Sequence, residues 1–226
     1  MSESAFPQKQ ITVSHMRLLE TRARALGLDE RLLIENASSN LFAVVDLLAL
    51  GKSVLVVAGR GNNGADVLSC ARKLVGRGYR VRVLIVREKE LGAEAQFQKD
   101  VLEAMRVPLS VVGVGQEEMI AEYVRKCDFI LEGILGIGIK GEVSPFLKSC
   151  IVQINDSKKK VVSCDIPSGL SPNDGIVLGA AIRADYTVTF LGAKPGFFIN
   201  QGLHVCGKTF VVDIGISRET LENVDG

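Results

Sequence analysis

The chain has 226 residues, of which 47% are hydrophobic, and its 27 basic and 26 acidic side chains leave a net charge of +1. This suits one α/β domain with a sizeable core, and the mixed charges argue against nucleic-acid binding driven by bulk charge. No apolar run approaches the roughly 20 residues of a membrane span, and the polar start lacks a signal-peptide core, so neither a membrane protein nor a secreted one is expected.

The pattern of elements predicts a flexible tail over residues 1–10 and a single domain over residues 11–226. Two helices open the domain: Thr12 or Ser14 caps the first, which Gly27 ends, and Asp29 caps the second, which runs to about Leu50. Strand and helix patterns then alternate, which favours a parallel sheet with helices on both faces. Strands are predicted near residues 53–58, 80–86, 109–112, 129–131, 160–164, 186–190 and 208–212.

The helices between these strands show apolar residues at helical spacing. They are predicted at 67–75, 92–105 and 116–126 and from Ser144 onward, and in the second of them Phe97, Val101 and Ala104 are expected to face the core. Five scattered cysteines show neither disulfide nor zinc spacing. They favour buried free thiols in a reducing compartment, and hence a cytoplasmic protein.

The first candidate site is the glycine turn after the first strand. Residues 59–64 (GRGNNG) fit the G-x-G-x-x-G spacing, which lets a ligand approach backbone N–H groups at a helix start, although the spacing alone is a weak signal. Asn62 and Asn63 place two carboxamides at the tip. Asp66 would repel a bare phosphate, so a site that also holds a cation, or that binds a ribose or a polar ring, suits this turn better.

Two further strands end in carboxylates. Glu132 follows a buried strand and precedes a glycine loop, and Asp165 ends the strand at 160–164 just before a Pro-Ser-Gly turn. Ligands in open α/β sheets bind at the carboxyl ends of the strands, so these groups are expected to share one rim. Each alone is also compatible with a solvated loop residue.

The segments GRGNNGADVLSCARKL, ILEGILGIGIKG, CDIPSGL and TVTFLGAKPG, in this order, resemble the YjeF N-terminal domain family. The likeness extends from about Ile11 to Ile216. It implies a Rossmann-like three-layer αβα sandwich, a homodimer, and NAD(P)H-hydrate epimerase activity, which interconverts the R and S epimers of hydrated NADH and NADPH (NADHX and NADPHX). It also implies one bound potassium ion and, as functional partner, an ADP- or ATP-dependent dehydratase.

The resemblance also implies roles for individual residues. Asp165 would be the acid/base and would contact the substrate, and Asn63, Glu132 and Ser168 would hold the potassium ion. The remaining substrate contacts would come from the turn and from the glycine loop, namely Asn62, Asn63, Gly64, Ala65, Asp66, Gly136, Ile137, Gly138, Ile139, Lys140, Gly141 and Glu142.

The residue chemistry agrees with these roles. Amide, carboxylate and hydroxyl oxygens suit a hard cation, and a carboxyl group whose pKa is raised by burial could protonate a departing hydroxyl. Lys194 is a second proton-transfer or phosphate candidate, but a surface charge at a strand end is the favoured interpretation.

The sequence departs from the family at three site positions. Ala65, Glu132 and Ile137 stand where the family usually has Gly, Asp and Thr. Two other functions therefore stay open. A nicotinamide-dependent oxidoreductase would use Glu88 on a ribose, although no hydride-transfer site is evident. A non-catalytic dimeric scaffold of the same family need not have kept Asn63, Asp66, Asp165 and Ser168.

Overall fold

The computed structural model describes residues 10–215 and 218–222. The predicted tail therefore lies outside the described residues, except for Gln10. Seven parallel strands form one sheet in the order β3-β2-β1-β4-β5-β6-β7, which confirms the Rossmann-like α/β prediction. The strands are β1 Ser53–Ala58, β2 Arg80–Val86, β3 Leu109–Val112, β4 Phe129–Gly133, β5 Lys160–Cys164, β6 Tyr186–Phe190 and β7 Lys208–Val212.

Each predicted helix is present, with shifts of a few residues at the ends. Thr12, Asp29 and Ser144 cap α1, α2 and α6 by accepting backbone N–H groups, because their short oxygen-bearing side chains reach the first turn. The helices are α1 Val13–Ala25, α2 Glu30–Leu48, α3 Asn62–Gly76, α4 Ala93–Ala104, α5 Met119–Arg125, α6 Pro145–Asp156, α7 Gly202–Val205 and α8 Arg218–Glu222, with the 3₁₀-helix η1 at Pro195–Phe198.

Alternate residues of β1 enter the two cores of the sandwich. Val54, Val56 and Ala58 pack beneath α1–α4, whereas Leu55 and Val57 pack beneath α5 and α6. A strand whose successive side chains both enter a core must be apolar throughout, which is why β1 is a continuous apolar run. The sheet is thus covered on both faces, and its strand ends are the edges left for ligands.

The predicted inner face of α4 is wrong. Ala95, Gln98 and Leu102 are the buried residues, whereas Phe97 is 37% exposed and Ala104 lies on the surface. The ring centroid of Phe97 instead lies 3.8 Å from the guanidinium carbon of Arg31 on α2. Glu94, which is on α4 like Phe97, accepts a hydrogen bond from this guanidinium. Phe97, which the helical spacing predicts to face the core, thus makes a cation–π contact with α2 instead.

None of the helices in the described part of the chain combines the length and the apolar character that a membrane span needs. All five cysteines are buried and free, as their spacing predicts.

Candidate functional site

The glycine turn between β1 and α3 packs tightly against the end of β4. A β-carbon at Gly59 would lie 1.8 Å from the carbonyl oxygen of Ile134, and one at Gly64 would lie 2.0 Å from the carbonyl oxygen of Gly59. Gly61, the N-cap of α3, has open space around it. Two of the three motif glycines are therefore needed for backbone packing, and only Gly61 leaves room for a ligand at the helix start.

Asn63, Glu132 and Ser168 come together around the backbone of Leu135. The Asn63 Nδ2 donates to the Leu135 carbonyl at 2.8 Å, and the Leu135 N–H donates to the Ser168 Oγ at 2.8 Å. The Ser168 hydroxyl lies 2.6 Å from the Glu132 Oε2 and 3.2 Å from the Leu135 carbonyl. The structure thus places these three residues, from β1–α3, β4 and the turn after β5, in one cluster.

Glu132 is fully buried, and its carboxylate accepts four hydrogen bonds. They come from the Ser163 hydroxyl at 2.5 Å, the Ser168 hydroxyl at 2.6 Å, and the backbone N–H groups of Ser168 and Ile134 at 3.1 Å each. Burial raises the pKa of Glu132, and the hydrogen bonds from Ser163 and Ser168 act in the opposite direction. Ser163 is a partner that the sequence did not reveal.

Asn63 carries an unsatisfied acceptor. Its Oδ1 is buried and has no hydrogen-bond partner among the described residues. Buried polar atoms without a partner are rare and costly, so this one calls for an explanation such as a bound ion or water.

Asp165 and Lys194 form a buried ion pair, so the favoured interpretation of Lys194 as a surface charge is wrong. Lys194 has no exposed surface, and its Nζ lies 2.5 Å from the Asp165 Oδ1. The ammonium also donates to the Thr189 hydroxyl at 2.8 Å and contacts the carbonyls of Phe190 and Gly192 at 3.3 and 3.4 Å. The chain turns back after β6, and this turn places Lys194 against Asp165. The pattern of residues along the sequence does not reveal the turn.

The two oxygens of the Asp165 carboxylate have different surroundings. Its Oδ1 accepts from Lys194, from the Thr189 hydroxyl at 3.1 Å and from the Phe190 N–H at 3.3 Å. Its Oδ2 makes no hydrogen bond to any residue that the structure describes. Asp165 also has a left-handed backbone, with φ of 59°, which is strained for a residue with a side chain. One oxygen is anchored and the other is left for a ligand.

A cluster of carboxyl groups lies beside this pair. Burial raises the pKa of Asp66 well above its usual range, and the nearby charges of Asp165, Glu20 and Glu30 raise it further. Glu20, Glu30 and Asp66 line a cavity of about 50 Å³. The sequence did not reveal Glu20 and Glu30, because on α1 and α2 they look like ordinary solvated helix residues. Burial and the neighbouring carboxylates thus shift Asp66 toward its neutral form relative to an exposed aspartate.

Two of the three residues that differ from the family pattern, Ala65 and Ile137, have side chains that face the core. Ala65 is fully buried within the core beneath α3, and Ile137 is half-buried against the same core.

In the loop after β4, Gly138, Lys140, Gly141 and Glu142 are exposed, whereas Gly136 and Ile139 are half-buried. The Asn62 carboxamide donates to Glu30.

The strand order changes direction between β1 and β4, and the polar groups above lie at the carboxyl ends of β1, β4 and β5. The fold and its site therefore define a doubly wound α/β protein whose polar site lies at the switch point of its sheet. The family described as "YjeF-related protein N-terminus" matches residues 30–196. The chain belongs to this family.

Named relatives match nearly the whole chain. It is 33% identical over 222 residues to the NAD(P)H-hydrate epimerase of Elusimicrobium minutum, covering 96% of this chain and 100% of the relative. It is 34% identical over 219 residues to the bifunctional NAD(P)H-hydrate repair enzyme Nnr of Thermofilum pendens, covering 95% of this chain. The chain spans only 42% of the length of that bifunctional relative.

A solved structure shares the fold. The crystal structure of the yeast protein ynu0 (YNL200c) superposes with a TM-score of 0.79, covering 96% of this chain and 94% of the yeast chain, at 22% identity.

Proposed function

We propose that this chain is an NAD(P)H-hydrate epimerase, which interconverts the R and S epimers of hydrated NADH and NADPH. The observation that carries the proposal is the Asp165–Lys194 pair, anchored through one carboxylate oxygen and open at the other, beside the cluster of Asn63, Glu132 and Ser168. The names of the relatives from E. minutum and T. pendens support it.

The reaction exchanges a hydroxyl between the two faces of one ring carbon. Asp165 takes up a proton from solvent at Oδ2 and gives it to the hydroxyl at C6, the C–O bond breaks, and water leaves an iminium-like ring. Water then adds to the opposite face, and its proton returns to Oδ2, so that atoms and charge balance. The ionised carboxylate faces the cationic ring at the midpoint, where negative charge stabilises it. Lys194 is a positioning residue, because it holds Oδ1.

A potassium ion would be held by Asn63, Glu132 and Ser168. The free Asn63 Oδ1 suits a hard cation. The four acceptor positions of Glu132 are filled, but the Ser168 hydroxyl can turn from Glu132 to the Leu135 carbonyl, which frees one of them. The residues therefore fit the ion. When bound, it would supply positive charge for an anionic dinucleotide.

The activity can be tested directly with R-NADHX. We expect the protein, in potassium buffer at neutral pH, to convert R-NADHX to the S epimer faster than the spontaneous reaction, as followed by chromatography. Conversion at the spontaneous rate would reject the enzyme and favour a non-catalytic member of the family. The same assay with R-NADPHX would show which of the two hydrated cofactors is preferred.

Potassium binding can be tested without activity. Thermal unfolding in potassium chloride is compared with unfolding in tetramethylammonium chloride at equal ionic strength. We expect a higher midpoint in potassium, because an ion that binds only the folded state stabilises it. Asn63→Ala should remove the difference between the two midpoints. Asn200→Ala removes an exposed amide that donates to the Asp174 carbonyl outside the proposed ion site, so it should keep the difference. Equal midpoints for the parent in both salts would contradict the potassium site.

Three further parts of the proposal concern the protein's surroundings. The names of the bifunctional relatives support a functional link to a dehydratase that consumes the S epimer. The five free thiols support a cytoplasmic location. The homodimer follows from the family resemblance, and light scattering of the purified chain would test it.

A further inference from the structure

A second, larger cavity lies at the opposite edge of the sheet. It has a volume of about 690 Å³ and lies at the amino ends of β1–β4, between the last turns of α4 and α5. This volume falls in the range of small-molecule sites. β1 has six residues, so this amino-edge cleft lies about 17–20 Å from the carboxyl ends of the strands. It is therefore separate from the site of the proposed epimerisation.

The charges that line the amino-edge cleft are almost all of one sign. Six of its lining residues are basic and one, Asp128, is acidic; the basic ones are Arg80, Arg82, Arg106, Arg125, Lys126 and Lys159. The carboxylate of Asp128 already accepts the backbone N–H groups of Lys52 and Ser53. Because the whole chain carries a net charge of only +1, this lining is a local segregation of charge.

The ends of the neighbouring helices explain part of this charge. The carbonyl ends of α4 and α5 attract cations, which accounts for Arg106 and Arg125, and Lys126 forms an ion pair with Glu122 of α5. They do not account for Arg80 and Arg82, which stand on β2. Residues two apart on a strand project from the same face, so these two guanidinium groups are neighbours of like charge. Neither makes a salt bridge with a described residue.

One guanidinium group can bind two oxygens of a phosphate at once, through two N–H donors of its planar fork. Apolar side chains also line the cleft and can cover an uncharged part of a ligand; they are Val75, Val81, Met105, Val107 and Pro108. We propose that the amino-edge cleft binds a small organic molecule that carries two or more phosphate groups, with Arg80 and Arg82 as principal phosphate contacts. The proposal stands independently of the epimerase activity.

Titration calorimetry with ATP as the probe tests the site. We expect saturable binding that weakens as salt rises, because the phosphate contacts are exposed to screening. Arg80→Gln/Arg82→Gln should weaken binding at least tenfold. Arg17→Gln/Arg183→Gln, which removes two exposed arginines elsewhere, should leave it unchanged. Adenosine, which lacks phosphate, should not bind detectably.

Three results would overturn the proposal. They are an equal loss of ATP affinity in both double variants, unchanged affinity in Arg80→Gln/Arg82→Gln, and tighter binding of a double-stranded DNA oligomer than of ATP. Unchanged affinity would place ATP at the carboxyl edge instead. Thermal unfolding of each variant checks that it is folded, and the R-NADHX assay of the same variants is expected to match the parent. Failure of this inference and failure of the epimerase proposal are therefore distinguishable.

Discussion

The two edges of the sheet handle charge in opposite ways. At the carboxyl edge, Asp165 and Lys194 are buried against each other and Glu132 is enclosed by donors. At the amino edge, Asp128 accepts two backbone N–H groups and Lys160 pairs with Asp185, all near solvent. Burying charge costs free energy unless every partner is present, whereas exposed charge costs little. The buried and fully partnered charges therefore lie at the edge of the proposed epimerisation, and the exposed charges lie at the edge of the proposed phosphate site.

The largest expected effect is on catalysis at the carboxyl edge. Asp165→Asn keeps the size of the side chain but cannot exchange the proton, so we expect conversion of R-NADHX to fall by about 10²–10⁴-fold. Asp185→Asn is the matched change at the amino edge, where the carboxylate accepts the Val161 N–H, and it should leave the rate unchanged. Chromatographic rates at equal protein concentration measure both. An Asp165→Asn variant as fast as the parent would remove the acid/base role.

The next effect compares two lysine–aspartate pairs for stability. Lys194→Met leaves a buried carboxylate without its cation, and we expect a loss of about 3–5 kcal/mol in the free energy of unfolding. Lys160 is 61% exposed in its pair with Asp185, so Lys160→Met should cost less than about 1 kcal/mol. Urea unfolding measures both.

The double variant Asp165→Asn/Lys194→Met sharpens this comparison. It removes both buried charges, so it should recover much of the stability that Lys194→Met loses. Equal losses in Lys194→Met and Lys160→Met would show that burial does not separate the two edges.

These pairs also show how far the sequence predicts the molecule. The bounds of β2, β3, β6 and β7 agree with the prediction, because short apolar runs between turn residues leave few alternatives. The shared rim of Asn63, Glu132 and Asp165 was also predictable, since parallel strands end at one edge. Their roles in binding stay predictions.

The rest depends on contacts between distant segments. Lys194 looked solvated because lysines at strand ends usually are. Its burial depends on how the chain turns after Phe190, where Leu191 has a left-handed φ of 59°. Phe97 left the predicted core because Arg31, from another helix, covers its ring. Such pairings have no local pattern in the sequence.

The third effect is a pH dependence at the carboxyl edge. The folded pKa of Asp66 is raised by burial and by Asp165, Glu20 and Glu30, so the folded state holds its proton more tightly than the unfolded chain. Stability is therefore lost as pH rises above the unfolded pKa of about 3.9 toward the folded value. Asp66→Asn cannot ionise, so we expect it to be more stable than the parent in this window and similar below it. Urea midpoints against pH measure the difference, and parallel curves would contradict it.

The smallest effect has the opposite sign and comes from the amino edge. Hydrogen bonds from the backbone N–H groups of Ser53 and Lys52 lower the pKa of Asp128, and the charges of Arg80 and Lys159 lower it further. Its stabilisation is therefore present above the unfolded pKa of about 3.9 and is lost as pH falls through the folded pKa. Asp128→Asn should be less stable than the parent at neutral pH, and the two should converge in acid.

Asp66→Asn and Asp128→Asn thus change stability in opposite directions at neutral pH, although both replace one aspartate by asparagine. A general effect of removing one negative charge would move both variants the same way. Because the chain is nearly neutral, that general effect is small, and the sign of each change reports the local surroundings. If the stabilities of both variants shifted in one direction, the local surroundings of the two carboxyl groups would not determine these changes. Asp66, buried among acids, and Asp128, held by backbone donors, would then not differ as proposed.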